Sequence, residues 1–286
     1  MFSNKPNFDF VINSSILFLK SGLCFAFSIL AVAATHAQST DEILLVNRYQ
    51  PNKQYVQQTT QRSDMLVRFE NAPASMPAET MRTSMLIHGN QELKTEALTQ
   101  QGFIPFEASI SQKLTLKVNG EQQKTPASDF GNFSYRGRFD SAGGITIDTI
   151  RAGKGLSEQL RSTINSFSRN MQLPNQKVKV GGKLTQKVPF QMNEFSGELL
   201  MKYHLDSIVG NKAFFSMDMD MDMDIPNPQM SLKGNAKGPG KMTYLISEQI
   251  VDYMSNELSM NLKGSMGEMT LLMNGKTEST VRVRME

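Results

Sequence analysis

The chain has 286 residues, 30 Lys and Arg against 27 Asp and Glu, three histidines and one cysteine. Near-neutrality without a basic stripe argues against nucleic-acid binding. One thiol and three imidazoles leave little room for disulfides, thiolate catalysis or cysteine-based zinc.

Residues 1–37 read as a secretory signal. Lys20 precedes the apolar run "SGLCFAFSILAVAA", which ends in "THA", with small residues at Thr35 and Ala37 for cleavage near Ala37. The run is short for a bilayer span, so the expectation is a secreted or periplasmic protein with no transmembrane helix in the mature chain. The segment carries Lys5, Lys20, Asp9 and Cys24, so its removal leaves a net charge of +2 and no cysteine.

The remainder, 38–286, reads as a single β-rich domain. "NAPASMPAET" (Asn71 to Thr80) is a loop of turn formers. From Phe106 to Val118, Phe106, Ala108, Ile110, Leu114, Leu116 and Val118 alternate with polar residues, the pattern of a long strand with one buried face. Phe133, Tyr135 and Phe139, then Ile145 and Ile147 beyond "DSAGG", continue it as a hairpin. Gly155 to Gln172 breaks the alternation: Leu156, Leu160, Ile164, Phe167 and Met171 fall at helical spacing and Pro174 follows, predicting one amphipathic helix over about 155–172. Alternation resumes over Val178 to Met192, with Val178, Val180, Leu184, Val188, Phe190 and Met192 on one face, and the chain ends on "TVRVRM". One-sided alternation predicts antiparallel pairing. Strands of this length suit a curved sheet or half-barrel. The stretches 52–150 and 176–286 are built alike, suggesting two similar halves joined by the helix.

"FFSMDMDMDMDIP" places Phe215, Met217, Met219, Met221 and Met223 on one strand face and Asp218, Asp220, Asp222 and Asp224 on the other. Same-face neighbours on a strand are about 6.6 Å apart, too far for Asp218, Asp220 and Asp222 to share one calcium through oxygens at about 2.3–2.6 Å. The stretch also lacks the EF-hand glycine and glutamate, since Met223 and Gln229 stand there. Those three aspartates remain a weak metal candidate. Pairing positions that sum to 420 with the preceding strand joins Met201 to Met219, Tyr203 to Met217, Leu205 to Phe215 and Lys202 to Asp218. That register requires a loop with an odd number of residues, such as Val209–Asn211, or a bulge correcting a two-residue turn at Gly210 and Asn211.

"GNAKGPGK" (Gly234 to Lys241) departs from the phosphate-loop spacing and carries Pro239 and Met242 where an amide and a hydroxyl are needed; it reads as a basic surface loop. His88 and His204 lie in separate alternating segments on the polar side, and no Gly-x-Ser-x-Gly elbow marks a nucleophile. The expectation is no enzyme and no cofactor. Fourteen of the 20 methionines lie between Met192 and Met285. Unbranched thioethers adapt to variable partners, so Met201, Tyr203, Phe215, Met217, Met219, Met221 and Met223 are the candidate lining of a concave site for a lipid, an acyl chain or a partner's apolar segment. The alternatives are a structural or adhesive envelope protein with a filled core and, more weakly, a calcium-stabilised module.

"YQPNKQY", "LPNQKVKVGGKL" and "GPGKMTYLISEQIVDYMSNELSMNL" make the chain resemble an uncharacterised family of secreted bacterial β-rich proteins. In architecture it is similar to lipoprotein carriers of the LolA/LppX type. That similarity implies a curved sheet with helices inside that hold acyl chains, and the family supplies no catalytic residues.

Overall fold

The structure is a computed structural model describing residues 41–71, 80–123, 132–140, 144–151, 173–192, 195–225, 231–266 and 268–286. The signal segment, the expected helix over 155–172 and residues 72–79 of the expected loop lie outside the described residues.

The described chain is all-β. In order it forms β1 (Glu42–Leu45), β2 (Gln54–Glu70), β3 (Thr80–Thr95), β4 (Ile104–Val118), β5 (Glu121–Gln122), β6 (Asn132–Phe139), β7 (Ile145–Arg151), β8 (Gln176–Lys179), β9 (Lys183–Met192), β10 (Phe195–Val209), β11 (Lys212–Ile225), β12 (Ser231–Leu245), β13 (Ile250–Met266) and β14 (Met269–Met285). Twelve strands make one antiparallel sheet in the order β7-β6-β4-β3-β2-β14-β13-β12-β11-β10-β9, with β5 beside β4. Neighbours in sequence are neighbours in space, except that β14 closes onto β2 and joins the first strands to the last. Strands of 14 to 17 residues recur. A sheet this wide and twisted curls, and one face is buried along every long strand.

The second sheet is the pair β1–β8. Ile43 and Leu45 are buried, and the Tyr244 hydroxyl donates to the Val46 carbonyl at 2.9 Å. Tyr49 stacks on Phe139 with ring centroids 3.6 Å apart and meets Tyr55 edge-on at 5.3 Å. Residues 43–49 thus run from β12 to β6 and close one end of the concave face.

The expected strand from Val178 to Met192 is two strands. It breaks at Val180–Gly182, where Gly181 takes a φ of 78° and Val180 turns outward, 43% exposed. The first piece pairs with β1 and the second with β10.

The expected surface loop over Gly234–Lys241 is the middle of β12. Its logic is period two. Gly234, Ala236, Gly238 and Gly240 take inward positions, while Lys233, Lys237 and Lys241 point outward. Lys233 and Lys237 stand opposite Asp224 and Asp220 of β11. The inward glycines are required by close approach: a Cβ at Gly238 would sit on the Glu257 carbonyl oxygen, and one at Gly234 on that of Asn261. The same close approach recurs at Gly137, Gly197 and Gly264, so glycine lets neighbouring backbone come near at several places in the sheet, twice on β12.

The β10–β11 register is the one read from the alternation, with Met201↔Met219, Lys202↔Asp218, Tyr203↔Met217 and Leu205↔Phe215. The odd-length loop is not used. Gly210 and Asn211 make a two-residue turn, and a register shift between Leu205 and Ser207 restores the faces. Positive φ at Gly210 alone of the two turn residues fits a type II′ turn.

Candidate functional site

Strand β11 builds the centre of the concave face. Alternation sends Met217, Met219, Met221 and Met223 inward, each 2–4% exposed. On one side β10 supplies Met201, Tyr203 and Leu199, opposite Met219, Met217 and Met221. On the other side β12 sets Gly240, Gly238, Ala236 and Gly234 opposite the four methionines in turn. A row of long flexible side chains therefore borders a lane with almost none. The methyl of Met217 reaches over this lane, 2.9 Å from where a Cβ of Gly240 would stand. Phe215 faces Leu205 and Met242, and is itself buried. All seven residues expected to line the site share this one buried surface.

Tyr203 is the polar exception among them. Its hydroxyl donates to Gln186 Oε1 at 3.2 Å and contacts Met201 Sδ at 3.4 Å, and burial pushes its ionisation well above the usual phenol range. It serves as a hydrogen-bonding group at ordinary pH and not as a base.

The outer face is charged and wet. Asp218, Asp220 and Asp222 are exposed there, opposite Lys202, Leu200 and Glu198 of β10 and Pro239, Lys237 and Asn235 of β12. Asp224 pairs with Lys233 at 2.6 Å. Among the described residues no group of three acidic, histidine or cysteine side chains is arranged to hold a metal ion. His88 contacts Thr60 and His204 contacts Asp206, both on the outer surface. Five strands of the sheet separate β3 from β10, so the structure does not bring the two imidazoles together.

An open groove of about 580 Å³ also lies on the outer wall, between Asp64, Leu66, Arg82, Lys117 and Lys276. Lys276 is engaged by Glu257 at 2.7 Å and by Glu278 at 3.4 Å. The groove is a solvated face with mixed charge.

Sequence reasoning missed a second feature of the concave face. Towards β2, β3, β13 and β14 the inward positions turn polar: Gln57, Gln61, Ser63, Gln91, Asn256, Thr277 and Ser279 are all buried. The signal was present as polar residues at inward parity in "QYVQQTTQRSDMLVRF" and "GKTESTVRV". Nothing local sets them together: β2 pairs with β14 through residues more than 200 positions apart.

This distribution is the reverse of a membrane-spanning barrel, which turns an apolar band outward and polar groups inward. Here Arg62, Lys113, Lys202, Lys237, Glu257 and Glu278 point outward from strand interiors. No helix among the described residues is long and apolar enough to cross a membrane.

No family model and no curated protein matches the chain. Among solved structures, an outer membrane channel from Pseudomonas putida F1 aligns with 88% of this chain and all of its own at 9% identity, with a TM-score of 0.26. A mutant Rh. blastica porin aligns with 78% of this chain and 99% of its own at 12% identity, also with a TM-score of 0.26. Overlaps this loose carry no argument.

Proposed function

We propose that this is a non-enzymatic, secreted or periplasmic envelope protein that holds a hydrophobic ligand, a lipid or acyl chain, against its concave face. One observation carries the reading: Met217, Met219, Met221 and Met223 form an unbroken inward row beside the glycine lane of β12. A strand position favours Val or Ile. Methionine gives up that preference and gains an unbranched side chain that repacks at low cost around different shapes. The glycine lane gives those side chains somewhere to move. The signal-like segment fits an envelope location, and the charged outer wall suits an aqueous compartment.

Native mass spectrometry of the protein taken gently from its own envelope tests this. The expected spectrum contains a bound apolar mass that organic extraction removes. Repeated recovery of ligand-free protein, with an interior filled by its own side chains, refutes it.

A specific observation favours a second reading, a structural or adhesive protein with a filled core. The four methionines are already covered, and Met217 already occupies the lane at Gly240. The two readings differ in whether the methionine row exchanges places with a guest.

A further inference from the structure

On three adjacent strands, Gln61 of β2 stands opposite Ser279 of β14, which stands opposite Asn256 of β13. They are 1%, 2% and 6% exposed. Each buries a polar atom with no hydrogen-bond partner: Gln61 Nε2, Ser279 Oγ and Asn256 Oδ1. Gln91 of β3, opposite Gln57 and across a cleft from Gln61, donates from Nε2 to the Tyr135 hydroxyl at 3.0 Å, while its Oε1 is also left unpaired. Buried polar groups are nearly always satisfied, and leaving one unpaired forfeits its hydration. The same face can satisfy its polar groups elsewhere. One row along, Ser63 and Thr277 bond each other at 2.9 Å.

A cleft of about 10 Å³ lies over Gly89, bordered by Gln57, Thr59, Gln61, Gln91 and Gln112. That is room for about one oxygen-sized group. The unpaired set offers a donor, two acceptors and a hydroxyl that can act as either. The inward positions of β2, β3, β13 and β14 carry no charged side chain, so a charged guest would be buried without a counter-ion. Asn256 stands opposite Gly240, which stands opposite Met217. The polar row thus reaches the methionine row across one side-chain-free position, a span of two strand spacings or about 10 Å.

We infer that the row Gln61–Ser279–Asn256, with Gln91, is the head-group site for an uncharged single-chain amphiphile, such as a fatty alcohol, a primary amide or a monoacylglycerol. The head-group oxygen sits at the polar row and the chain lies along Met217–Met223. The inference rests on the apolar-ligand reading above and adds the class of ligand.

The test is calorimetric titration of the full chain, freed of copurified lipid, with four probes of one chain length: dodecanol, dodecanamide, dodecanoate and dodecene. Dodecanol and dodecanamide are expected to bind on the order of tenfold more tightly than dodecene and dodecanoate, a ratio equivalent to one or two net hydrogen bonds. In the double variant Gln61→Met, Asn256→Leu the advantage over dodecene disappears while dodecene binding is kept. If that variant fails to fold, Ser279→Ala should reduce the same ratio. Equal affinity for dodecanol and dodecene in the native chain overturns the head-group site, assigns the row to bound water, and leaves the apolar-ligand reading standing. Binding of none of the four overturns both.

Discussion

Gly238→Ala tests the close approach of the β13 backbone to β12. The added Cβ would fall on the Glu257 carbonyl oxygen and lie 3.2 Å from Leu258 Cα. Both obstacles are backbone, so no rotamer change relieves them, and β13 must retreat by roughly an ångström to restore van der Waals distance. Overpacking of this kind costs about 1–3 kcal/mol. Weakening one or two flanking β12–β13 hydrogen bonds adds about 0.5–1.5 kcal/mol each. Against this, the smaller conformational freedom of alanine in the unfolded chain returns about 0.4–1 kcal/mol. The expected net loss is about 0.5–5.5 kcal/mol, read as a drop in the urea midpoint on the order of 1 M. The control is Gly89→Ala on the same concave face, where the nearest atoms are the Gln112 and Thr59 side chains at 3.6 and 3.8 Å. Ordinary contact leaves only the unfolded-state term, so Gly89→Ala should be neutral or stabilising by up to about 1 kcal/mol. Equal midpoints for the two variants would refute the close approach at Gly238.

Burial holds five of the six tyrosines in the neutral form: Tyr55 is pushed up to about 12, and Tyr49, Tyr135, Tyr203 and Tyr244 are raised well above 10. Unfolded tyrosine titrates near 10, so this stability is fully present below about pH 10 and is lost as pH rises through the native values. Tyrosinate absorbance should appear together with loss of the far-UV sheet signal; ionisation of these rings in a folded sheet would contradict their burial. Met221→Ala should cost about 2–5 kcal/mol if its covered side chain is packed, whereas Met221→Leu should cost less than about 1.5 kcal/mol, and thermal melts decide between them. Calcium followed by chelator should leave the melting temperature unmoved, because lysines stand opposite Asp218, Asp220 and Asp224; a rise with calcium restores the metal reading. Lys233→Ala should cost under about 1 kcal/mol despite the 2.6 Å contact with Asp224, since both groups are substantially exposed.

The alternation made much of this fold readable. Period two in "FEASISQKLTLKV" and "FFSMDMDMDMDI" fixes which side chains face inward, and the faces then dictate a register that the structure reproduces pair by pair. Reading failed where composition spoke louder than parity. Gly, Pro and Lys in "GNAKGPGK" are the residues of a loop, yet they alternate small-inward and polar-outward. What makes a strand of them is the aspartate face of β11 opposite those lysines and the backbone of β13 folded onto those glycines. Neither partner is local. The Val178–Met192 segment erred the other way. Its alternation runs unbroken through Gly181 and Gly182, and the turn there is set by the pairing of β8 with β1, more than 130 residues earlier. The polar row on β2, β14 and β13 was hidden for the same reason, because inward glutamines and serines read locally as a wet face although they are buried.

The choice of methionine on β11 now has a geometric cause beyond composition. Each of the four inward methionines faces a glycine or an alanine on β12. Valine ends at Cγ and isoleucine is stiff at χ1, so neither would spread across the width of a neighbouring strand that offers no side chain. The methionine side chain does: Met217 covers Gly240 with its terminal methyl. Methionine length and glycine absence are therefore one device. The glycines let the β13 backbone come near, and the Met217 thioether covers the bare position at Gly240. A cover made of rotatable side chains can also swing aside, which a cover of branched residues could not do. On this argument Met217→Val should uncover the lane at Gly240 and destabilise the ligand-free protein, while weakening discrimination between chain lengths less than it weakens the fold. If Met217→Val instead leaves the melting temperature unchanged, the lane is already occupied by something other than Met217, and the pairing of thioether with glycine is not what closes this face.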